Sequence, residues 1–275
     1  MSYFTLSNGE QIYYEDSGSG EHTIVMMHGW TSSHEIFAPC IQEISNKARC
    51  ITYDHRGHSG SKEANHDHVT MDTLASDLDE LIRGLGLSDI TLLGWSMGAG
   101  VAMNYMSVYG CDALRRVILC DMTPKQINDD TWSLGLYQGK YTKEDMEADS
   151  NSDKDFYSLY KSFAVGAIPK LAKVPGFLLK KPLTEKLSAC DEKTLRSLSA
   201  SMKAKDYRES IEKITVPVFY FYAVPGSLFS PQLADWYRDH VQTDFEAVAF
   251  EDSTHMLISD HPDQFAREVV RVLDE

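Results

Sequence analysis

The sequence predicts an α/β protein with a mostly parallel central sheet, helices on both faces and an inserted helical cap. Short apolar and β-branched runs, which are typical of buried strands, alternate with helical patterns over residues 23–121 and again from residue 216 onward. Residues 122–211 show helical patterns broken by prolines and no strong strand. We therefore expect a core of residues 1–121 and 212–275, interrupted by a cap of residues 122–211.

The N-terminal elements follow from turn signals and periodicity. Residues 3–6 and 11–14 predict a hairpin across Asn8-Gly9, the strongest short hairpin signal. A buried strand over residues 23–27, a helix over 33–45 and a strand over 50–53 come next. Apolar residues spaced three or four apart then predict an amphipathic helix from residue 70 to about 85.

The remaining core elements continue the alternation. Strands are expected at residues 90–93 and 116–120, with a helix between them. After the cap we expect a strand over residues 216–222, a helix over 231–240, a strand over 245–250 and a closing helix with Pro262 near its first turn. The carboxyl ends of such parallel strands point toward one crevice, where a site would form.

Composition limits the possible partners. The 275 residues are 43% hydrophobic, which is enough for a core, and carry a formal net charge of -15. That charge argues against nucleic acid or an anionic membrane surface as a partner, because the summed field repels phosphate. No run approaches 18 apolar residues, so no spanning helix is expected. Residues 171–181 suggest a membrane-binding lid as an alternative to ordinary packing within the cap. The prolines there interrupt any long amphipathic helix, which favours ordinary packing.

Cysteine use indicates a reducing compartment. The five cysteines are odd in number and include no CxxC pair, and the N-terminal residues lack a signal-peptide pattern. We therefore expect a cytoplasmic protein.

The stretch Gly94-Trp95-Ser96-Met97-Gly98 matches G-x-S-x-G, the pattern of a nucleophile on a sharp strand-to-helix turn. An apolar strand pattern precedes it and a run of small, helix-forming residues follows, which is the context that the turn requires. Side chains at Gly94 or Gly98 would collide across the bend. Ser96 is therefore the candidate nucleophile.

A serine hydroxyl needs a base to remove its proton. Of the ten histidines, His255 is the best placed, because it follows the last predicted strand. Asp121 ends the strand after the serine helix, and the chain order of serine, aspartate and histidine is the order expected on this type of fold. A surface histidine and a strand-terminal aspartate are the alternatives to these two roles.

These residues, together with His28-Gly29-Trp30 and the segment 54–59 (DHRGHS), resemble the α/β-hydrolase superfamily. The resemblance implies a cap at the position of residues 122–211. Most such proteins carry the catalytic acid in the loop after the strand that follows the cap, but residues 223–230 contain no carboxylate here. The family's other placement of the acid falls on Asp121, while Asp252, Asp235 and Asp244 stay open.

An oxyanion formed during acyl transfer needs hydrogen-bond donors. The main-chain N–H of Met97, directly after the nucleophile, is expected to be one donor. The resemblance implies that the second is the main-chain N–H of Trp30. Histidine pairs at 55 and 58 and at 66 and 68 suggest a metal site, but no third ligand stands at a suitable spacing, so we expect neither metal nor cofactor.

The sequence therefore predicts a serine hydrolase that cleaves a small or moderate-sized carboxylic ester, thioester or lactone through an acyl-enzyme on Ser96. Aromatic residues in the cap favour a small-molecule substrate with an apolar or aromatic part. We expect the protein to be a monomer or a homodimer. Two alternatives stay open. One is a cofactor-free dioxygenase that cleaves quinolone-like rings, although such relatives tend to carry histidine where Met97 stands. The other is a non-catalytic receptor for a small molecule.

Overall fold

The protein is described by a computed structural model that covers residues 2–17, 19–64, 68–150, 155–226 and 228–275. One eight-stranded sheet organises it, in the order β1-β2-β4-β3-β5-β6-β7-β8. The strands are β1 Ser2–Thr5, β2 Gln11–Ser17, β3 His22–Met27, β4 Ala48–Tyr53, β5 Ile90–Trp95, β6 Leu114–Cys120, β7 Val218–Pro225 and β8 Phe245–Ser253. The α/β class and the mostly parallel sheet are confirmed.

The pairing of the strands explains their hydrophobicity. β1 and β2 form the predicted antiparallel hairpin, β2 pairs antiparallel with β4, and every other neighbouring pair is parallel. β5 lies in the centre and all six of its residues are buried. A strand covered on both faces reads as a continuous apolar run rather than as an alternating one, as its sequence does.

Helices cover both faces of the sheet. The core helices are α1 Ala38–Ser45, α2 Met71–Gly84 and α3 Met97–Tyr109 before the predicted cap, and α10 Leu233–His240, α11 Leu257–Asp260 and α12 Pro262–Asp274 after it. Buried residues of α2, α3 and α10 belong to one apolar cluster. Those of α1, α11 and α12 belong to a second cluster on the other face.

Six further α-helices lie between β6 and β7 in the part of this segment that the structure describes. They are α4 Leu136–Gly139, α5 Lys143–Ser150, α6 Phe156–Ala167, α7 Gly176–Ser188, α8 Glu192–Ala204 and α9 Arg208–Ile211. α4 is not a regular helix, because Tyr137 and Gln138 have positive φ angles. The helical character of this segment agrees with the sequence pattern, while the division into core and cap at residues 122 and 212 stays a prediction.

Element boundaries differ from the prediction where a turn or a neighbouring strand intervenes. The helix expected from residue 33 starts as a 3-10 turn over His34–Phe37 and becomes α-helical at Ala38, where Pro39 occupies the first turn. The last two strands run three residues further than their apolar patterns, because β7 and β8 stay paired as far as Pro225 and Ser253.

None of the described helices is long and apolar enough to cross a membrane.

Candidate active site

Three strand ends bring Ser96, Asp121 and His255 together. Ser96 follows β5, Asp121 follows β6, and His255 lies two residues after β8. The His255 Nε2 atom lies 2.8 Å from the Ser96 Oγ atom, and its Nδ1 atom lies 2.6 Å from the Asp121 Oδ2 atom. Both distances are hydrogen-bond distances, so the three side chains form one continuous chain of hydrogen bonds.

The turn at Ser96 has the geometry that its glycines predict. Ser96 has φ 56° and ψ -121°, a sparsely populated conformation for a residue with a side chain, and helix α3 begins at the next residue. A methyl carbon on Gly94 would lie 2.3 Å from the Gly98 carbonyl oxygen, and one on Gly98 would lie 2.2 Å from the Met27 carbonyl oxygen. The bend therefore tolerates only glycine at both positions.

The hydrogen bonds define how His255 can act. The Asp121 carboxylate accepts the Nδ1–H of His255, which leaves Nε2 unprotonated and able to accept the hydroxyl proton of Ser96. Ser96, Asp121 and His255 are 8%, 2% and 2% exposed, so little water competes for these bonds. The arrangement can convert a serine hydroxyl into a nucleophile.

Two aromatic residues that the sequence analysis did not assign to the site hold the His255 loop. The Trp95 indole Nε1–H donates a hydrogen bond to the His255 carbonyl oxygen at 2.8 Å, and the two rings lie 5.4 Å apart. The Phe229 ring contacts the imidazole edge-on, with centroids 5.6 Å apart. Trp95 lies inside the G-x-S-x-G motif, but its contact joins residues 160 positions apart in the chain, so no local pattern reveals it.

Among the carboxylates left open by the sequence, the structure brings Asp121 to the imidazole. Asp252 and Asp244 are exposed, and Asp235 is exposed and pairs with Arg238. Phe229 belongs to the loop after β7, where most members of the superfamily carry the acid, and it faces His255 without a carboxylate. Ser227 of that loop lies outside the described residues.

The two predicted oxyanion donors lie beside the serine. Met97 is the first residue of α3, where the main-chain N–H has no partner within the helix. Trp30 lines the same pocket as Ser96, and a methyl carbon on the preceding Gly29 would lie 3.0 Å from the Ser96 Cβ atom. The main chain at Gly29 therefore passes close to the serine side chain, and the donor role of the Trp30 N–H stays a prediction.

Buried histidines fix the loop that carries Trp30. His28 donates from Nδ1 to the Gly29 carbonyl oxygen at 2.8 Å and accepts the His55 main-chain N–H on Nε2 at 3.0 Å. His58 accepts the Thr31 main-chain N–H on Nε2 at 3.3 Å. Burial holds the pKa of His28 well below its ordinary value and lowers the pKa of His58 to about 4. These imidazoles are therefore neutral acceptors in the loop.

Two histidine pairs suggested a metal site in the sequence, although none was expected there. In the part of the chain that the structure describes, no group of three or more His, Cys, Asp or Glu side chains could hold a metal ion. His66 of the second pair lies outside the described residues.

A cavity of about 240 Å³ opens above Ser96. Its walls are mostly apolar and come from the loop after β3, the segment between β6 and β7 and the loop after β7. The apolar and aromatic lining residues include Trp30, Leu136, Tyr137, Tyr141, Phe156, Leu159, Phe163, Met202, Leu228 and Phe229. Arg196, Lys203 and Asp149 supply the charged groups. The Trp30 indole Nε1–H donates to the Leu195 carbonyl oxygen of α8 at 3.0 Å, which ties the β3 loop to the helices above the sheet.

Known proteins similar to this chain include esterases and haloperoxidases. A non-heme haloperoxidase from Rhodococcus erythropolis is 33% identical over 125 residues, 45% of each chain, so the match spans less than half of that relative. A pimeloyl-[acyl-carrier protein] methyl ester esterase from Nitrosospira multiformis is 22% identical over 264 residues, 94% of this chain and 97% of the relative. The solved structure of an esterase from Exiguobacterium antarcticum superposes with a TM-score of 0.85 at 26% identity, covering 100% of this chain and 99% of that one.

The family comparison covers strands β3 to β6 and the serine turn. Residues 22–173, more than half of the chain, match the model of the alpha/beta hydrolase fold. The strand order and the strand-end position of the serine agree with that match. The chain belongs to the alpha/beta hydrolase fold family.

Proposed function

We propose that this protein is a serine hydrolase that cleaves a carboxylic ester, thioester or lactone of small or moderate size. The observation that supports this most directly is the hydrogen-bonded series Ser96–His255–Asp121 at the base of an apolar cavity. The esterases among the similar proteins support the same bond type. In this proposal residues 122–211 act as a cap that closes the cavity from above.

The reaction would proceed in two acyl-transfer steps. As Ser96 Oγ attacks the carbonyl carbon, its proton passes to Nε2 of His255, and Asp121 stabilises the imidazolium that forms. The main-chain N–H groups of Met97 and Trp30 donate hydrogen bonds to the oxyanion. His255 then protonates the departing alcohol or thiol, and a water molecule activated by the same imidazole releases the acid from Ser96.

The cavity determines which substrates fit. Its aromatic and aliphatic walls favour an apolar or aromatic acyl or alcohol group, because burying such a group removes apolar surface from water. A volume of about 240 Å³ is below the range typical of drug-sized ligands, ~300–1,000 Å³, which favours a substrate of small or moderate size.

The test replaces Ser96 by Ala and Ser162 by Ala in parallel, because Ser162 also lines the cavity but lies on α6. A fluorophosphonate probe should label the wild type and Ser162→Ala, and Ser96→Ala should remain unlabelled. Hydrolysis of p-nitrophenyl butyrate should fall by about 10⁵- to 10⁶-fold in Ser96→Ala and stay within about twofold in Ser162→Ala. Equal labelling of wild type and Ser96→Ala would refute the proposed nucleophile.

The same preparations address the two alternatives. Oxygen consumption with quinolone-like heterocycles, at rates unaffected by Ser96→Ala, would favour the dioxygenase. Tight binding of a small molecule by a folded protein that hydrolyses no ester and takes up no probe would favour the receptor.

A further inference from the structure

We propose that residues 156–184 form a docking surface for an anionic lipid bilayer, centred on Phe177 and Leu178. We call this segment, which comprises α6, the turn after it and most of α7, the basic face. The proposal concerns where the protein binds and does not depend on the proposed hydrolase activity.

Phe177 and Leu178 are adjacent apolar side chains that point into water. Phe177 is 78% exposed and Leu178 is 55% exposed, whereas large apolar side chains in the described chain are otherwise mostly buried. The sequence pattern favours ordinary packing within the cap for residues 171–181, and Leu179 is packed in this way, whereas Phe177 and Leu178 are not. Exposed apolar groups next to each other mark interaction sites more often than single exposed ones do.

The geometry of α7 explains why they are exposed. Leu179 and Leu183, four residues apart, are buried in a small cluster with residues of α6. At 3.6 residues per turn, Phe177, Leu178 and Lys181 fall on the opposite side of the helix. The outward side of α7 therefore presents two apolar side chains next to a cation.

The charge of the basic face is opposite to that of the whole chain. Residues 156–184 contain five lysines and no aspartate or glutamate, in a chain whose net charge is -15. The four lysines on its outer part are exposed, namely Lys170, Lys173, Lys180 and Lys181. Screening limits electrostatic interactions to about 8–10 Å at physiological salt, so a lipid surface in contact here would interact chiefly with these four lysines and with Glu185, whose carboxylate lies 3.8 Å from the Lys181 ammonium group.

A lipid surface suits this face better than a protein partner does. A stable protein interface buries about 800 Å² on each side and needs a shaped apolar centre. Two apolar side chains on a convex helix provide far less, whereas a bilayer adapts its shape to them. Lysine stems can lie along the bilayer surface while their ammonium groups contact phosphate.

Docking in this way would place the cavity near the membrane. α6 contributes Leu159 and Phe163 to the cavity wall and packs against α7. If the protein hydrolyses esters as proposed above, apolar esters dissolved in the bilayer would meet the enzyme on the side where α6 stands.

The experiment measures co-sedimentation with vesicles of phosphatidylcholine alone and of phosphatidylcholine with phosphatidylglycerol. The wild type should bind the anionic vesicles and bind the neutral ones much more weakly. Phe177→Ser combined with Leu178→Ser should reduce binding at least tenfold. The matched control is Val108→Ser with Tyr109→Ser, a second exposed apolar pair that lies outside the basic face and should leave binding unchanged.

A second variant keeps the apolar side chains and changes the charge. Replacing Lys180 and Lys181 by Gln should weaken binding to anionic vesicles about fivefold for each lysine, and binding should fall as salt is added. The proposal is overturned if the wild type stays in solution with both vesicle types, or if both double variants bind as well as the wild type does. It is also overturned if gel filtration shows that Phe177 and Leu178 instead join two copies of the chain.

Discussion

Replacement of Asp121 by Asn tests the role of the third member of the hydrogen-bonded series. The Asp121 carboxylate accepts the Nδ1–H of His255 at 2.6 Å, and both side chains are buried. An asparagine amide in that position can donate instead, which favours the tautomer of His255 with the proton on Nε2. That tautomer cannot accept the Ser96 proton, and the positive charge that forms on the imidazole loses its carboxylate.

The expected loss is about 10⁴-fold in kcat for ester hydrolysis. At 1.36 kcal/mol per factor of ten, that loss corresponds to roughly 5.4 kcal/mol of transition-state stabilisation. KM should change little, because Asp121 does not line the cavity. Steady-state hydrolysis of p-nitrophenyl butyrate and the rate of fluorophosphonate labelling both report the effect.

Asp252→Asn is the matched control, since Asp252 lies in β8 only three residues before His255 but is exposed. It should keep kcat within about twofold of the wild-type value, as surface substitutions usually do. Near-normal turnover by Asp121→Asn, with a loss of orders of magnitude in Asp252→Asn, would refute the assignment. Thermal unfolding of both variants separates a catalytic loss from a folding defect.

Two further substitutions test the loop and the core. Trp30→Phe removes the indole N–H that donates to the Leu195 carbonyl oxygen at 3.0 Å. We expect kcat to fall about threefold to tenfold, because a hydrogen bond that holds the loop after β3 is lost. An unchanged kcat would show that this hydrogen bond does not position the proposed oxyanion donor at residue 30. Asp77→Asn leaves Arg56 buried without its carboxylate, which lies 2.6 Å away, and we expect the free energy of unfolding in urea to fall by about 3–5 kcal/mol. An unchanged urea midpoint would contradict that reasoning.

The core of the fold was predictable because its signals are local. The hairpin at Asn8-Gly9, the amphipathic pattern of α2 and the apolar run of β5 each lie within a short stretch, and all three elements form where expected. Boundaries were less predictable, because strand pairing extends β7 and β8 beyond their apolar residues.

The candidate site was predictable for a different reason. Ser96 lies in a short motif that can be recognised without the rest of the chain. Gly94 is required by a collision with Gly98 within the turn, and Gly98 is required by the close approach of the Met27 carbonyl oxygen of β3. Asp121 and His255 were inferred from their positions after strands. Whether their side chains lie close to each other and to Ser96 depends on the order of strands in the sheet. The contact of Phe229 with His255 could not be predicted, because it depends on the path of the loop after β7.

The sequence by itself determined the α/β class, the strand-to-helix turn at Ser96 and the absence of a carboxylate from residues 223–230, because periodicity, glycine positions and composition are properties of short segments. Only the tertiary structure decided which aspartate reaches His255, how Trp30 is held by α8, and which side chains of α7 face water. Each of these depends on distances between residues that are far apart in the chain, and such distances are set by strand order and helix packing rather than by local pattern.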